Sequence, residues 1–386
     1  MSPQKHKKVV FVINSIQFFL SHRLPIAVQL QKDGYEVHII TPDKKPCDFD
    51  VHHFHYHKII MSRKGMNPFI DLYTLLSLFI KFKKINPTIV HLVTIKPYLY
   101  GGIAARLAKV PVLVSAVAGL GIIFSKKNIK TQNIRSILFP LYKFAFGHKN
   151  QTIIFQNKTD KKTLVDWLNL SEEKTSLIDG AGTDLDLYPF LPELNSEIPI
   201  IAFASRLLKD KGIEHFVEAS NILKQRKINA RFLLIGEPDL GNPNTISENQ
   251  LKEWEKEKLV EVLGYRNDIP ALFSKAHIVS LPSFYGEGLP KVLIEAAACG
   301  RAVVTTDWPG CRDAIIPNKT GLLVPIKDST ALADAFQTLI ENPTLRQSMG
   351  VAGRKLAEEK FDVKLVVKKH IEIYDTLLKN IYPPPP

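Results

Sequence analysis

The sequence is poor in cysteine: the 386 residues include three, and none of them forms a Cys-x-x-Cys pair. This excludes a scaffold stapled by disulfides, disfavours a cysteine-based zinc site and indicates a reducing compartment. The remaining composition, 45% apolar and 23% charged, excludes a disordered or fibrous protein. At about 150 residues per domain, the length predicts two or three domains.

Long apolar runs are also absent. The longest candidate, residues 72–80, is shorter than the roughly 18 uncharged residues that a membrane-spanning helix needs. The basic, partly apolar N-terminus resembles a signal peptide, but Asn14, Ser15 and Gln17 interrupt it and no small-residue cleavage site follows. We therefore predict a first β-strand there, in a soluble or peripheral protein.

Two glycine-rich nucleotide motifs are missing. No Gly-x-Gly-x-x-Gly follows the first predicted strand, and Gly119-Leu120-Gly121 lacks the third glycine, which disfavours a nicotinamide-binding domain. The phosphate-binding motif Gly-x4-Gly-Lys-Ser/Thr is absent too, which disfavours a P-loop ATPase.

Acidic residues are scarce in the first part of the chain. Residues 1–150 hold 22 Lys and Arg against 6 Asp and Glu, a balance of +16, whereas residues 151–386 hold 29 against 32, a balance of −3. The formal net charge of +13 therefore arises entirely from the first part. Such an asymmetry suggests an anionic partner, which could be a nucleic acid, a membrane surface or a phosphorylated substrate. The alternative is a lysine-rich surface without a partner.

Short Val- and Ile-rich runs alternate with helical patterns, and the alternation restarts near Ile198. This predicts an α/β fold of two doubly wound, Rossmann-like domains that face a central cleft, with ligands at the carboxyl ends of the strands. Residues 186–199 contain three prolines, as expected of a linker. The predicted parts are a first domain of 1–188, a second domain of 189–362, a helix of 363–381 that packs back on the first domain, and a tail of 382–386.

Residues 281–306 read as a strand, a glycine-containing loop, a helix, a glycine stop and a strand. Pro290 suits a first helical position, so the amides of Gly288 and Leu289 and the helix N-terminus form a predicted phosphate site. Two carboxylates, Glu287 and Glu295, frame it and suit hydroxyl-rich ligands, since a carboxylate only accepts hydrogen bonds. The alternative to a ligand-binding role for Glu287 is that of a solvated loop residue without a function in binding.

A basic cluster follows the first strand of the second domain. Arg206 comes at the carboxyl end of that strand, and Lys211 precedes the next helix. Two fixed cations can neutralise a diphosphate leaving group as a metal ion would. Taken alone, the cluster could equally be a solvated basic turn.

Together these segments resemble the family 4 glycosyltransferases, which have the GT-B fold. The resemblance covers nearly the whole chain and is closest to bacterial enzymes that build capsule, O-antigen or other glycans on a polyprenyl diphosphate. It is similar in particular to N-acetylgalactosaminyltransferases that act on lipid-linked bacillosamine. The matching pieces are Ser205-Arg206-x4-Lys211-Gly212, residues 264–269, the Glu287/Glu295 pair, residues 307–311, residues 19–25 and Gly119-Leu120-Gly121.

The resemblance implies a retaining hexosyl- or N-acetylhexosaminyltransferase that needs no metal or other cofactor. Arg206 and Lys211 would hold the diphosphate of a nucleotide sugar, Glu287 the sugar hydroxyls, the Gly288 and Leu289 amides the phosphate, and Glu295 the ribose. The segment 264–268 would border the nucleobase, expected to be uracil. Further donor-side residues are Gly236, Gly264, Arg266 and Pro290, and the acceptor-side residues are Asn14, His22, Arg23, Lys96, Gly119 and Gly121.

One departure from the family pattern concerns the mechanism. Many members carry a histidine where this chain has Ala118, which puts a histidine-assisted step in doubt. We therefore expect the donor phosphate itself to accept the proton of the acceptor, on the face from which it departs.

Other patterns favour structural interpretations. Asp48-Phe49-Asp50 and Asp184-Leu185-Asp186 match the metal-binding Asp-x-Asp motif, which is common by chance. His53, His55 and His57 could share one face of a strand and bind zinc, but Phe54 and Tyr56 fit a plain edge strand. We expect no metal at either place.

Together with the lipid-linked acceptor that the resemblance implies, the basic first domain predicts a peripheral protein on the inner face of a bacterial cytoplasmic membrane. Residues 68–84 are apolar with cations at one end, which suits shallow insertion into an anionic membrane, or a core helix with a solvated end. Two other functions stay open: a GT-B relative that does not transfer, such as a UDP-sugar 2-epimerase, and a basic nucleic-acid-binding protein. No recognition motif with stacking aromatics supports the latter, so we expect no nucleic-acid partner. Further cations of this domain are Arg63, Lys64, Lys126, Lys127, Lys130, Arg135 and Lys143.

Overall fold

The computed structural model describes residues 7–47, 49–62, 65, 67–121, 124, 129–239 and 241–382. The described chain forms two compact units, one of residues 7–181 with 364–382 and one of 182–363. The predicted boundaries of the two domains stay predictions. The predicted residues Asp48, Arg63, Lys64, Lys126, Lys127 and the final four prolines lie outside the described residues.

A parallel sheet of seven strands forms the centre of the first unit, in the order β3-β2-β1-β4-β5-β6-β7. Alternate residues of β1 enter different apolar clusters: Val10 and Val12 pack with one, Val9 and Phe11 with the other. Since successive side chains of a strand point to opposite faces, both faces of the sheet are covered. The strands are β1 Lys8–Ile13, β2 Glu36–Thr41, β3 His55–Lys58, β4 Ile89–Val93, β5 Val112–Val117, β6 Gln151–Phe155 and β7 Thr175–Leu177.

Helices cover both faces of this sheet, and their ends follow ordinary capping rules. The Asn67 side chain accepts hydrogen bonds from the amides of Phe69 and Ile70 at the start of α3, and Asn86 ends that helix in a left-handed conformation. The helices are α1 Ile16–His22, α2 Leu24–Lys32, α3 Pro68–Ile85, α4 Gly102–Ala108, α5 Ile129–Ala145 and α6 Lys158–Leu168, with a π-helical turn at Pro97–Gly101.

The second unit has its own parallel sheet, in the order β10-β9-β8-β11-β12-β13. The order of the strands reverses between β8 and β11, and ligands of such sheets bind beyond the carboxyl ends of the strands at this point. Its strands are β8 Ile200–Ala204, β9 Arg231–Ile235, β10 Glu261–Gly264, β11 Ile278–Leu281, β12 Ala302–Thr306 and β13 Gly321–Val324. Its helices are α7 Ile213–Gln225, α8 Glu248–Lys256, α9 Ile269–Lys275, α10 Lys291–Ala298, α11 Ser329–Glu341 and α12 Pro343–Leu356.

The last helix, α13 Val363–Lys379, belongs almost entirely to the first unit. Its buried residues Val366, Tyr374 and Leu377 join the apolar cluster that contains Phe11 of β1. The predicted α/β class, with two doubly wound parallel sheets, is thus confirmed.

Candidate functional site

The turn after β8 brings Lys211 to the carboxyl end of β11. Lys211 ends a short 3-10 turn, and Gly212 follows it with a φ of +81°. A Cβ at Gly212 would lie 2.1 Å from the carbonyl oxygen of Pro282, so only glycine allows the two segments to approach this closely. The Phe284 amide completes the junction by donating to the Asp210 carbonyl at 3.0 Å.

Lys211 and Glu287 form the centre of the site as an ion pair. Both side chains are mostly buried, with exposed fractions of 11% and 15%. The Ser283 hydroxyl lies 3.3 Å from Glu287 Oε1 and 3.2 Å from the Asp210 carbonyl oxygen. The Lys211 ammonium also lies 5.6 Å from the centre of the Tyr285 ring. An ammonium has three N–H donors, so this lysine can hold Glu287 and an anionic ligand together.

The predicted phosphate loop ends at the N-terminus of α10. Gly288, Leu289 and Pro290 are buried. Pro290 is the N-cap residue, with an extended ψ of 121°, and the first helical residue is Lys291; the prediction of Pro290 as the first helical position is wrong by one residue. The Leu293 amide bonds to the Pro290 carbonyl at 3.2 Å, in the first turn of α10.

Glu295 is a buried carboxylate in the middle of α10, 9% exposed. Lys291 pairs with it at 3.3 Å, and the Tyr188 hydroxyl bonds to it. Burial raises its pKa above the ordinary value, and Lys291 and Tyr188 oppose that shift. The predicted need for a partner is met by these two residues, of which Tyr188 lies in the segment before the second sheet.

Arg206 lies at the rim of the same region. Its guanidinium bonds to Asp239 at 2.8 Å and keeps an exposed fraction of 60%. Arg206 also interacts electrostatically with Tyr285. Burial, Glu287 and Asp210 raise the pKa of Tyr285, and the positive charge of Arg206 opposes this shift. Lys211, Glu287 and Arg206 therefore surround one tyrosine, which places these three predicted residues in one neighbourhood.

Two glycines shape the strand ends beside Arg206. Gly236 follows β9 with a φ of +136°, and a Cβ there would lie 1.9 Å from the carbonyl oxygen of Ser205. Gly264 has a φ of +64° with open space around it. The exposed Arg266 next to it forms a bidentate pair with Asp268, at 2.8 and 2.7 Å. The guanidinium of Arg266 is thus held by its own loop.

Sequence reasoning missed several residues of this region. Asp239 pairs with Arg206, Tyr188 and Lys291 hold Glu295, and Ser283 contacts Glu287. The strand-end positions of Asp239 and Ser283 were a usable signal, because polar residues just after a parallel strand face the ligand edge. Nothing local in the sequence points from Tyr188 to Glu295.

On the acceptor side, Lys96 lies after the carboxyl end of β4 and is mostly buried. It pairs with Asp71 at 2.6 Å and with the Ser62 hydroxyl at 2.5 Å. Burial raises the pKa of Tyr100 above its ordinary range, and its hydrogen bond to Asp71 adds to this effect. Asn14 follows β1, which pairs with β4, so both lie at the carboxyl edge of the first sheet.

His22 and Arg23 are placed differently from each other. The ring of His22 stacks on Phe18 at 3.9 Å, half-buried. Arg23 is 1% exposed; burial lowers its pKa to about 10, and its Nη1 donates to the His22 carbonyl at 3.0 Å. Its electrostatic neighbours are Tyr374, His91 and His370. A direct acceptor contact by Arg23 stays a prediction, which this burial disfavours.

The loop after β5 carries the predicted glycines. Gly119 and Gly121 have φ angles of +108° and +68°. A Cβ at Gly121 would lie 2.8 Å from the Ile95 side chain, which itself neighbours Lys96 in the chain. Both glycines therefore adopt conformations that residues with side chains rarely take.

The remaining motifs have local explanations. Asp184 Oδ1 accepts from the Asp186 amide at 3.0 Å, which makes that Asp-x-Asp segment a turn. Asp50 pairs with Lys45. The strand β3, with His55 and His57, is the edge strand that the sequence favoured.

Helix α3 differs from the second of the two alternatives for residues 68–84, a core helix with a solvated end. Its inner face buries Thr74, Leu78 and Phe82, but an apolar stripe on the outer face is exposed. The stripe consists of Phe69, Leu72, Tyr73, Leu76 and Ile80, each about half exposed or more. Within the part of the chain that the structure describes, no helix is long and apolar enough to cross a membrane.

Family models match both halves of the chain. Residues 188–356 match "Glycosyl transferases group 1" and residues 8–157 match "Glycosyl transferase 4-like". The fold and the site together define a GT-B glycosyltransferase. The features that define it are the two parallel sheets, the basic turn after β8, and the Glu-x7-Glu pair in the loop and helix after β11. The chain belongs to the group 1 glycosyltransferases, with a GT4-like first half.

Three curated relatives match most of the chain. The N,N'-diacetylbacillosaminyl-diphospho-undecaprenol alpha-1,3-N-acetylgalactosaminyltransferase of Campylobacter jejuni is 30% identical, over 94% of this chain and 99% of that protein. The capsular polysaccharide biosynthesis glycosyltransferase CapM of Staphylococcus aureus is 26% identical, over 91% and 92%. The UDP-Gal:alpha-D-GlcNAc-diphosphoundecaprenol alpha-1,3-galactosyltransferase of Escherichia coli is 25% identical, over 80% and 81%.

Solved structures share the fold along almost the whole chain. Sucrose-phosphate synthase from Thermosynechococcus elongatus superposes with a TM-score of 0.79 at 20% identity, over 97% of this chain and all of that one. HepE from Anabaena, solved with UDP, gives 0.75 at 18% identity, over 96% and 100%. These comparisons confirm the predicted GT-B fold.

Proposed function

We propose that this protein transfers a hexose or N-acetylhexosamine from a UDP-sugar to a sugar carried on polyprenyl diphosphate, with retention of configuration. The binding of a nucleotide-sugar donor is proposed from the Lys211–Glu287 pair. This pair lies beside the α10 N-terminus, at the point where the strand order of the sheet reverses. Two relatives whose names give undecaprenyl-diphosphate-linked acceptors support the acceptor half. A relative named for UDP-Gal and a neighbour solved with UDP support uracil.

In this proposal the donor diphosphate lies against Lys211, Arg206 and the amides of Gly288 and Leu289. Glu287, already held by Lys211 and close to Ser283, accepts hydrogen bonds from the sugar hydroxyls. Glu295 of α10, which is buried but keeps 9% of its surface exposed, bonds to the ribose hydroxyls. The loop of Gly264 and Arg266 borders the base, and Gly236 and Pro290 shape the backbone.

The proposed reaction breaks the bond between the anomeric carbon and the diphosphate oxygen. The acceptor hydroxyl bonds to that carbon on the same face, and its proton passes to the departing phosphate oxygen. Arg206 and Lys211 neutralise the charge that develops on the diphosphate, the task that a metal ion performs in other transferases. Ala118 offers no proton acceptor, which agrees with this assignment of the proton.

The acceptor side is proposed to lie at the carboxyl edge of the first sheet, near Asn14, Lys96, His22 and the loop of Gly119 and Gly121. The contacts of Lys96 support this proposal, because Asp71 and Ser62 fix its ammonium. It would attract the diphosphate of the lipid carrier.

We propose further that the first unit docks on the anionic inner face of a bacterial cytoplasmic membrane. The exposed apolar stripe of α3 adjoins Lys81, Lys83 and Lys84 at the end of the same helix. Apolar insertion combined with cations is the pattern of peripheral membrane helices. The net charge of +16 on residues 1–150 adds a long-range attraction to the anionic membrane surface.

Docking is tested by sedimentation with anionic vesicles at low salt. The double variant Phe69→Ser/Ile80→Ser should leave most of the protein in the supernatant. A control, Leu107→Ser, removes a residue of similar exposure (51%) on α4, outside the stripe, and should sediment as wild type does. Equal sedimentation of the double variant, or none by the wild type, would refute the docking surface.

The transfer reaction is tested with the purified full chain, a panel of nucleotide sugars and a polyprenyl-diphosphate-linked sugar. We expect one UDP-sugar to give a lipid-linked product in the presence of a chelator. Product formed only with added divalent metal would contradict the assignment of the leaving-group charge to Arg206 and Lys211.

A further inference from the structure

A cluster of histidines lies at the sheet edge of the first unit, separate from every residue assigned above. Strands β2 and β3 pair in parallel with His38 opposite His55. Since side chains two residues apart on a strand share a face, Glu36 and His38 of β2 lie beside His55 and His57 of β3. The rings of His38 and His55 stack with their centres 4.6 Å apart.

Three of these side chains converge on one point. Glu36 Oε1 lies 2.9 Å from His38 Nε2 and 3.4 Å from His55 Nε2, and all three ligand atoms lie within 4.8 Å of one another. Zinc binds nitrogen and oxygen at roughly 2.0–2.2 Å in a tetrahedron, so its ligand atoms lie about 3.3 Å apart. The two shorter separations already have this size.

The buried member of the cluster is oriented for a cation. His38 is 5% exposed, and its Nδ1 lies 2.9 Å from Nε2 of His57, in a hydrogen bond that fixes the ring. Its Nε2 lies 2.9 Å from Glu36 Oε1, in an alignment that is poor for a hydrogen bond. When Nδ1 donates its proton to His57, the Nε2 lone pair faces a carboxylate oxygen, and a cation between the two atoms removes the repulsion.

The neighbouring side chains also suit a metal-binding histidine. Lys8 lies 3.6 Å from the other oxygen of Glu36, Oε2, which leaves Oε1 to the histidines. The hydrogen bond that His38 Nδ1 donates to His57 resembles the outer-shell contact that orients metal-binding histidines, with a ring nitrogen in place of the usual oxygen acceptor.

We propose that Glu36, His38 and His55 form a zinc site with a fourth position open to water, oriented by His57 and serving to pin the edge strand β3 to β2. The set is the two-histidine, one-carboxylate combination that binds zinc with an open position. This proposal departs from the expectation that this segment binds no metal. Its role is structural, and the proposed transfer chemistry, whose donor residues lie in the second unit, does not depend on it.

The test uses the untagged full chain, freed of metal with a chelator. Zn²⁺ is titrated in competition with a chromophoric chelator, and Co²⁺ is added separately to record its visible absorption. We expect one tight equivalent of Zn²⁺, the intense Co²⁺ bands of a tetrahedral site, and a higher melting temperature with Zn²⁺ than with Mg²⁺.

The variants separate this site from adventitious binding by surface histidines. Glu36→Gln and His55→Ala remove ligands that are partly exposed, so the fold should survive, and both should lose the tight equivalent. His57→Gln should weaken binding by about 10- to 100-fold, as the loss of an outer-shell partner does. The matched control is His53→Asn, because His53 is exposed, lies outside the cluster and has a positive φ of 54° that asparagine accepts.

Retention of the tight equivalent by Glu36→Gln and His55→Ala, or its loss in His53→Asn, would overturn the proposal. Weak, octahedral-type Co²⁺ bands in the wild type would also overturn it. Failure of the sugar-transfer assay leaves these readouts unchanged, so the two proposals can fail separately.

Discussion

Replacing Lys211 by methionine tests the donor site most informatively. Methionine retains most of the length and apolar surface of lysine but removes the ammonium. In the folded protein that ammonium pairs with Glu287 and lies 5.6 Å from the Tyr285 ring centre, and the Lys211 side chain is mostly buried. The substitution should therefore affect both the reaction and the stability of the fold.

The two effects have different sizes. Loss of one preorganised group that stabilises developing charge costs about 10²- to 10³-fold in rate, roughly 2.7–4 kcal/mol. Breaking a fully buried ion pair costs roughly 3–5 kcal/mol, and because Lys211 and Glu287 keep 11% and 15% exposure we expect about 3 kcal/mol or less. The expected loss of stability comes from the Glu287 carboxylate, which keeps its charge without this partner.

A second substitution separates the two effects. In Lys211→Met/Glu287→Gln the unbalanced charge is gone, so the free energy of unfolding in urea should recover towards the wild-type value. The initial rate of sugar transfer should stay low, since neither change restores a cation for the diphosphate. A transfer rate for Lys211→Met within twofold of wild type, or one that recovers in the double variant, would refute the reasoning.

Three further predictions concern other parts of the molecule. Glu295→Gln should lower kcat/KM for the donor by roughly 10- to 100-fold, the value of a hydrogen bond to a charged group, without lowering the melting temperature; an unchanged kcat/KM would contradict the ribose assignment. Gly236→Ala should destabilise the protein far more than Gly241→Ala in urea unfolding, because both have positive φ but only at Gly236 would the new Cβ meet a backbone oxygen, at 1.9 Å. Burial lowers the pKa of His370 to about 3 and that of His91 well below its usual 6.5, so below pH 6.5 the unfolded state binds more protons than the folded state. Urea unfolding should therefore show stability falling as the pH drops from 6.5 to 4, by up to about 1.4 kcal/mol per pH unit from His370 and with a contribution of the same sign from His91. A flat profile would contradict their burial.

The sequence predicts the two sheets well because parallel, buried strands are continuous apolar runs. Residues 9–13 and 302–305, for example, lie within β1 and β12. Helices α6 and α9 were not predicted because their local signals are weak. The apolar residues of α6 lie in its second half, and α9 has only seven residues.

The helical pattern of residues 22–33 predicts α2 Leu24–Lys32, whereas the preceding helix α1 Ile16–His22 was not predicted. Pro25 lies at the start of α2, and Arg23 forms the junction between α1 and α2 with its side chain buried. A basic residue between apolar segments is ordinarily expected to be exposed. Its burial depends on Tyr374 of α13, about 350 residues along the chain, which no local pattern reveals.

The candidate donor residues could be singled out because strand ends and helix starts leave local signals. Their interaction partners could not be predicted from the sequence, because each contact joins segments that are far apart along the chain. These contacts are Tyr188 with Glu295, Asp239 with Arg206, and Lys211 with Glu287. The same holds for the histidines. Their spacing on β3 was visible, but the contribution of Glu36 and His38 depends on the register between two strands.

The central claim is tested most directly by one measurement: transfer of sugar from UDP-sugars to a polyprenyl-diphosphate-linked acceptor by the purified full chain, with the anomeric configuration of the product determined by NMR. The account predicts a product with one UDP-hexose or UDP-hexosamine, in which the new linkage keeps the configuration of the donor. An inverted linkage would contradict the proposed mechanism. Conversion of a UDP-sugar without any transfer to the acceptor would contradict the function itself and favour the 2-epimerase alternative.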